Sequence, residues 1–402
     1  MRIAVVHGLA PGGAWRVARD TTVGLAATHD VEVLEVTLGA GPADPWSPRI
    51  PVSRWVVDPP RGRAGPFSGL VLQRSWRRAH HELARAIDGG GFDAVLAHPC
   101  QVTQAPPALT LTSRPTVYFM QEVRRRSYEA GYRDRPHGPW ARRSAAEAVL
   151  AAEDAWPRWI DRRAVAASTL VLANSAFTAE SSLRAYGRRA LPCLLGVDTT
   201  VFRLPSTPPH RRDHLLLVGG LERIKGALWL IKALGRLGAE RPPLVVTGQR
   251  GYGPFIQEIL AAARRHAVVL DIRENVGEEV LVGLYQAALA TCCVARLEPF
   301  GLTTVESLAC GTPVVAVREG GYREVVVDGE NGRLVERSTA ALADGVADVM
   351  HRPWDPPALR ASVVPRFDIA TAVERLNGHL ELLHRAGGQP AAPSVSDRRG
   401  PA

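Results

Sequence analysis

Short apolar runs that stop at clusters of Gly, Pro or polar residues recur along this chain. They predict strands buried on both faces, as in parallel sheets. Residues 2–6, 31–36, 52–57, 92–97, 115–120 and 169–173 form a first series. Residues 214–218, 244–247, 268–272, 290–295, 313–317 and 333–335 form a second. Helical patterns lie between and after them, at 145–167, 177–186, 226–237, 278–287, 305–310, 339–350 and 369–385. Pro157 is expected to kink or divide the first of these, and Asn174-Ser175 to cap the second. Strand alternating with helix implies parallel sheets joined by right-handed crossovers. The polar, Pro-rich run 206–213 reads as a linker, and 387–402 as a disordered tail.

Composition sharpens this picture only in part. At 402 residues the chain exceeds one ordinary core, so two domains are expected. The net charge of +9 comes almost wholly from arginine, because Lys225 and Lys232 are the only lysines. Abundant Ala, Pro and Gly mark a GC-rich coding bias, so the basic charge does not argue for nucleic acid. Phosphorylated ligands or an anionic surface suit it equally. Five cysteines, Cys100, Cys193, Cys292, Cys293 and Cys310, show no metal-ligand spacing and point to a reduced, cytoplasmic protein. The N-terminal run is not a signal-peptide core. No apolar stretch approaches the ~20 residues of a membrane span.

The candidate chemistry sits directly after predicted strands, where open α/β sheets bind ligands. Glu298-Pro299-Phe300-Gly301-Leu302-Thr303-Thr304-Val305-Glu306 carries two carboxylates around a glycine turn. Ionised carboxylates accept paired hydroxyl hydrogen bonds and so suit a polyhydroxylated ligand. Gly12 and Gly13 open a helix after the first strand, letting backbone approach a phosphate or sugar closely. Lys225 stands near a helix N-terminus, where the dipole disfavours a cation and an anionic ligand would explain it. His98 follows the fourth strand, and Gln121, Glu122 and Arg124 the fifth. The stretch 124–143 is basic with Tyr128, Tyr132 and Trp140 interleaved, and reads as a solvated loop, an acceptor flap or a patch for anionic lipid. There is no acidic pair of the kind that holds a divalent metal on a diphosphate.

In this order and spacing, the E-x7-E stretch from Glu298 to Glu306 joins several weaker motifs. They are Ala173-Asn174-Ser175, Gly196-Val197-Asp198 with Phe202, Leu221 through Gly226, and Gly320-Gly321 through Glu324 with Asn331-Gly332. The chain thereby resembles the group 1 family of retaining, nucleotide-sugar-dependent glycosyltransferases, from Gly12-Gly13 to the last helix. The resemblance implies an α/β GT-B architecture: two Rossmann-like domains with parallel sheets facing across an interdomain cleft. Residues 1–195 would be the acceptor-side domain, with helix 366–386 packing back on it, and 196–365 the donor domain. It implies that Glu298 lies against the donor sugar, Lys225 and Arg223 neutralise the diphosphate, and Glu306 accepts from the ribose. Phe300, Gly301, Leu302 and Thr303 would reach the sugar or phosphate through backbone. Gly12, Gly13, Gly219, Gly220, Gly248, Arg250 and Val276 would complete the donor pocket. His98, Gln121, Glu122 and Arg124 would face the acceptor.

The reaction implied is sugar transfer from a UDP- or GDP-linked donor to an acceptor small molecule, glycan or lipid. No metal, cofactor or nucleic acid takes part, and peripheral contact with the inner face of a membrane stays open. A natural-product or cell-envelope role is the expected setting, and the oligomeric state is not legible. Gly220 and Gln121 stand where the family often has Arg and His, and Val294-Ala295 where it often has Pro-Ser. A sugar phosphorylase or nucleotide-sugar epimerase of the same fold, or a catalytically silent nucleotide-sugar-binding subunit, are the alternatives.

Overall fold

The computed structural model describes residues 1–39, 46–58, 68–129, 140–207, 212–249 and 253–387; of residue 68 and of 140–151 it describes the backbone alone. The chain divides into two compact units: Met1–Asn174 with Ala179–Cys193 and the chain from Val373, and Ser175–Thr178 with Leu194–Ala372. Against the expected division at 195 and 365, the run Ser175–Thr178 goes with the second unit. The return to the first unit falls inside the last helix.

In the first unit the strands are β1 (Arg2–Gly8), β2 (Asp30–Leu38), β3 (Val52–Val57), β4 (Ala94–Cys100), β5 (Thr116–Met120), β6 (Leu170–Ala173) and β7 (Leu191–Pro192). They form one parallel sheet in the order β3-β2-β1-β4-β5-β6-β7. The helices are α1 (Gly13–Leu25), α2 (Ser68–Gly89), the single turn α3 (Arg125–Tyr128), α4 (Trp140–Ala167) and α5 (Ala176–Tyr186). The second unit adds β8 (His214–Val218), α6 (Ala227–Leu234), β9 (Leu244–Gly248), α7 (Gly253–Arg265), β10 (Leu270–Glu274), α8 (Glu278–Ala287) and β11 (Ala288–Cys293). Then follow α9 (Leu302–Ala309), β12 (Val314–Val317), α10 (Tyr322–Val325), β13 (Gly332–Val335), α11 (Thr339–His351), α12 (Pro356–Ala361), α13 (Val364–Phe367) and α14 (Ile369–Arg385). Its strands run parallel in the order β10-β9-β8-β11-β12-β13. The expected two-sheet parallel α/β fold is therefore present. In each sheet the connections reverse direction once, between β1 and β4 and between β8 and β11.

The apolar pattern explains the cores. Strands β1, β4, β5 and β12 are buried over nearly their whole lengths, which suits sheets covered on both faces. Helix α2 fills a stretch with no expected element. Its stripe Trp76, Ala79, Leu83 and Ile87 repeats every three or four residues and is buried, while Arg74, Arg77, Arg78 and Arg85 stay outside. Three corrections follow. Pro157 sits inside the single helix α4, which is not divided. The final helix keeps the 369–385 of its pattern, but the 366 start given with the resemblance is wrong, because Val364–Phe367 forms the separate turn α13. His98 lies within β4, not in a loop after it. As expected, Ser175 caps α5: its Oγ accepts from the Thr178 N–H at 2.9 Å. The α14 segment of the first unit packs on α1. A Cβ on Gly24 would meet Val373 at 2.5 Å, and His29 Nε2 lies 2.6 Å from Asn377 Oδ1. The basic stretch 130–139, the tail from 388 and part of the linker, 208–211, lie outside the described residues.

Candidate functional site

The reversal between β8 and β11 places the exits of these two neighbouring strands side by side. Such a switch point is where an open α/β sheet leaves room for a ligand. The chain after β8 turns at Gly219-Gly220 and winds one tight turn, Arg223–Lys225, before α6. The chain after β11 carries Glu298. Residues 73 apart in sequence thus meet: Lys225 Nζ lies 3.0 Å from Glu298 Oε2 and 3.3 Å from Oε1. Both side chains are part-buried, at 29% and 18% exposure, so each holds an accessible charge beside its opposite. The Lys225 alkyl chain runs past Gly219, where a Cβ would touch its Cε at 3.6 Å. Cys293 lies beneath the pair. Its thiol is pushed up to about 12, first by burial and partly by the Glu298 charge, so it is no nucleophile.

The loop that presents Glu298 is clamped from the far side by Gly320-Gly321. Gly321 N–H donates to the Glu298 carbonyl at 2.8 Å. Gly320 has φ +59°, and a Cβ there would stand 2.3 Å from the Glu298 carbonyl oxygen. Gly301, with φ +93°, caps α9, and a Cβ on it would meet the buried Tyr322 ring at 2.6 Å. The Pro299 carbonyl accepts from Ser175 Oγ at 2.6 Å, and Glu324 takes the N–H groups of Ala176 and Phe177. As the first turn of α9, Leu302 and Thr303 carry amide N–H groups that no intrahelical carbonyl can take. The Thr303 hydroxyl lies 3.7 Å from Cys293 Sγ, and Phe300 is buried edge-on against Phe367.

Glu306 is separate from this pair. It is 1% exposed on the fifth residue of α9 and accepts from the Tyr285 hydroxyl at 2.7 Å. Tyr285 and Tyr322 were not among the expected residues; each is an aromatic buried behind an acid, which no spacing rule identifies. Gly248 lies against Gly219, where a Cβ on it would stand 3.4 Å from the Gly219 Cα, and its carbonyl accepts from the Asn275 N–H, which brings Val276 to the same strand end. Arg250 lies outside the described residues.

Several expected residues are engaged otherwise. Arg223 pairs with Glu258, and its guanidinium stacks 4.7 Å from the Phe255 ring centroid, toward α7. The N–H groups of Gly219 and Gly220 both donate to the Thr247 carbonyl, so these glycines act through shape. Gly220 faces the core. A Cβ there would meet Leu217 and Val246 at 2.7–2.8 Å, so the arginine common in the family does not fit this backbone.

In the first unit, Gly12 and Gly13 are exposed and start α1 at the exit of β1. His98 is wholly buried beside Phe119, with neither ring nitrogen partnered among the described residues. Burial first, then the nearby His7, lowers its pKa to about 3, so it is a neutral core residue. Arg124 is tied to Asp154 at 2.8 Å and to the Val102 carbonyl at 3.0 Å. Gln121 is buried, its backbone carbonyl taken by Asn174 Nδ2 at 2.7 Å. The Glu122 carbonyl accepts from Gln104 at 3.2 Å. A buried network the sequence reading did not anticipate stands near the β1 exit. Glu35, fully buried, lies 3.3 Å from His7 Nε2 and accepts from Trp46 and Arg54, each at 2.6 Å.

Comparison with known proteins shows what the chain is similar to. Residues 199–363 match the family described as glycosyl transferases group 1. A D-inositol 3-phosphate glycosyltransferase of Nocardiopsis dassonvillei is 34% identical over 244 residues, 54% of this chain and 53% of that protein. The chain spans about half the length of the curated relatives it matches. Among solved structures, sucrose-phosphate synthase from Thermosynechococcus elongatus superposes with a TM-score of 0.71 at 19% identity, over 96% of this chain and 99% of that one. Anabaena HepE in complex with UDP-glucose gives 0.69 at 19%, over 95% and 100%. Residues 199–363 are thus similar to the glycosyl transferases group 1 family, on a two-sheet fold of the GT-B kind.

Proposed function

We propose that this protein is a retaining, metal-independent glycosyltransferase that moves a sugar from a UDP- or GDP-linked donor to an acceptor hydroxyl. One observation carries the reading: a lysine and a glutamate meet at the switch point of the second sheet. A diphosphate sugar offers the lysine an anion and the glutamate hydroxyl donors, so one ligand replaces both halves of their ion pair. In this reading Lys225 draws the charge that develops on the leaving diphosphate, doing with a fixed cation what a metal does elsewhere. Glu298 holds the transferred sugar, the first-turn N–H groups of α9 serve its hydroxyls or the phosphate, and Glu306 serves the ribose. Attack and departure share one face, and the leaving phosphate oxygen takes the acceptor proton, so no covalent nucleophile is required. HepE, with UDP-glucose in its structure, supports a nucleotide-sugar donor, and the D-inositol 3-phosphate glycosyltransferase supports sugar transfer. Arg223, turned onto Glu258, serves the diphosphate only after rotating away.

Titration calorimetry with UDP, GDP, ADP and dTDP identifies the nucleotide, and its sugars are then tested for turnover with and without EDTA. Glu298→Gln and Lys225→Ala are expected to lower turnover about a hundredfold or more, the scale of losing one preorganised electrostatic contact. Near wild-type turnover in either variant, or a requirement for added metal, sinks the assignment.

A further inference from the structure

Leu297, the residue before Glu298, has φ +46°, a left-handed setting that costs a leucine free energy. Something must hold it there. Its N–H donates to Glu319 Oε2 at 3.4 Å. The other Glu319 oxygen accepts from Arg337 Nε at 2.6 Å, while Arg337 Nη2 donates to the Ala295 carbonyl at 2.9 Å. The guanidinium is steadied over the Trp229 ring, 4.9 Å from its centroid. One arginine therefore grips the chain two residues before Leu297 and the carboxylate that takes the Leu297 N–H. On either side, Arg296 N–H donates to the Ile224 carbonyl and Gly321 N–H to that of Glu298.

Burial raises the Glu319 pKa, but the bond and charge of Arg337, the Leu297 N–H and the charge of Arg296 outweigh it and hold it below the usual range. Glu319 is thus ionised at neutral pH. With 29% and 25% exposure, an ion pair of this kind adds little to global stability. Its placement on a left-handed residue beside the site is what gives it a task. We propose that Arg337 and Glu319 are a positioning pair that holds Leu297 left-handed and thereby keeps the Glu298 carboxylate facing Lys225.

This inference rests on the function proposed above, and its test separates the two. Arg337→Ala, Leu297→Asn and the double variant of the full chain are compared; asparagine enters the left-handed region several-fold more readily than leucine. Arg337→Ala is expected to lower kcat about tenfold, the factor set by losing the bracing of one left-handed residue, with donor KM within about twofold. In the Leu297→Asn background the same change costs about threefold or less, because the backbone then holds itself. Hydrogen exchange in the peptide 294–300 rises in Arg337→Ala and falls back in the double variant. Equal losses in both backgrounds, or a KM effect without a kcat effect, overturn the proposal. If the wild-type chain turns over no nucleotide sugar, the functional reading fails by itself. Exchange then decides alone, and unchanged protection of 294–300 in Arg337→Ala overturns the positioning pair.

Discussion

Replacing Gly320 with alanine tests how closely the Glu298 loop depends on its neighbour. The new Cβ would stand 2.3 Å from the Glu298 carbonyl oxygen, 2.9 Å from its amide nitrogen and 3.0 Å from the Leu297 carbonyl carbon, all backbone atoms with no rotamer to escape by. Ordinary contact begins at 3.4 Å, so the Glu298 backbone must retreat by about 1 Å. A left-handed alanine costs about 1–2 kcal/mol and the overpacking about 1–3 more, so the unit loses about 2–5 kcal/mol. Misplacing a reacting group by that distance costs about a hundredfold in rate. Gly329→Ala supplies the control. Its φ is +82°, but its Cβ would meet only Arg352 Nη1 at 3.7 Å, so it carries the backbone cost without displacement. Donor turnover and thermal unfolding are measured on the same preparations. Gly320→Ala is expected to lose turnover about a hundredfold while Gly329→Ala keeps it and melts only a few degrees lower. Equal melting shifts, with turnover of Gly320→Ala within about twofold of wild type, would refute the clamp.

Two further tests address stability. Gly220→Ala is expected to destabilise by about 1–3 kcal/mol through contact with Leu217 and Val246, and to cost less in a Leu217→Ala background; strict additivity in urea unfolding would remove the steric reading. His80, wholly buried against Trp76, has its pKa lowered from 6.5 to about 3 by burial first and by the His81 charge second. The unfolded chain binds this proton at higher pH than the folded one, so stability falls as pH drops from 6.5 toward 3. His80→Leu lacks this share and should fall less steeply over that window. Parallel curves for the two proteins would count against it.

Apart from the two-residue β7, the parallel strands were legible because strands covered on both faces are written as plain apolar runs, and each run ended near its strand exit. Helix α2 was not, although Trp76, Ala79, Leu83 and Ile87 keep helical spacing. Its outer face is so rich in arginine, with His80 and His81 between, that the stripe is diluted. His98 and Arg124 looked like active-site side chains because they follow apolar runs. One continues the strand into the core, and the other is spent on Asp154. The meeting of Lys225 and Glu298 depends on β8 lying beside β11, a matter of strand order that local periodicity does not encode. The inward direction of Gly220 and the bracing of Leu297 are likewise facts of backbone direction, invisible until the chain is folded.

The clamp between 298–301 and 320–322 has a consequence for exchanging parts among related proteins. Neither loop has a shape of its own: one is left-handed where the other leaves no room for a side chain, and each supplies the surface that moulds its neighbour. They transplant only as one piece. A graft that carries the two-acid motif into a new scaffold without Glu319 to Tyr322 brings the carboxylates but not their aim. A graft of both loops, with an arginine in the place of Arg337, moves the site whole.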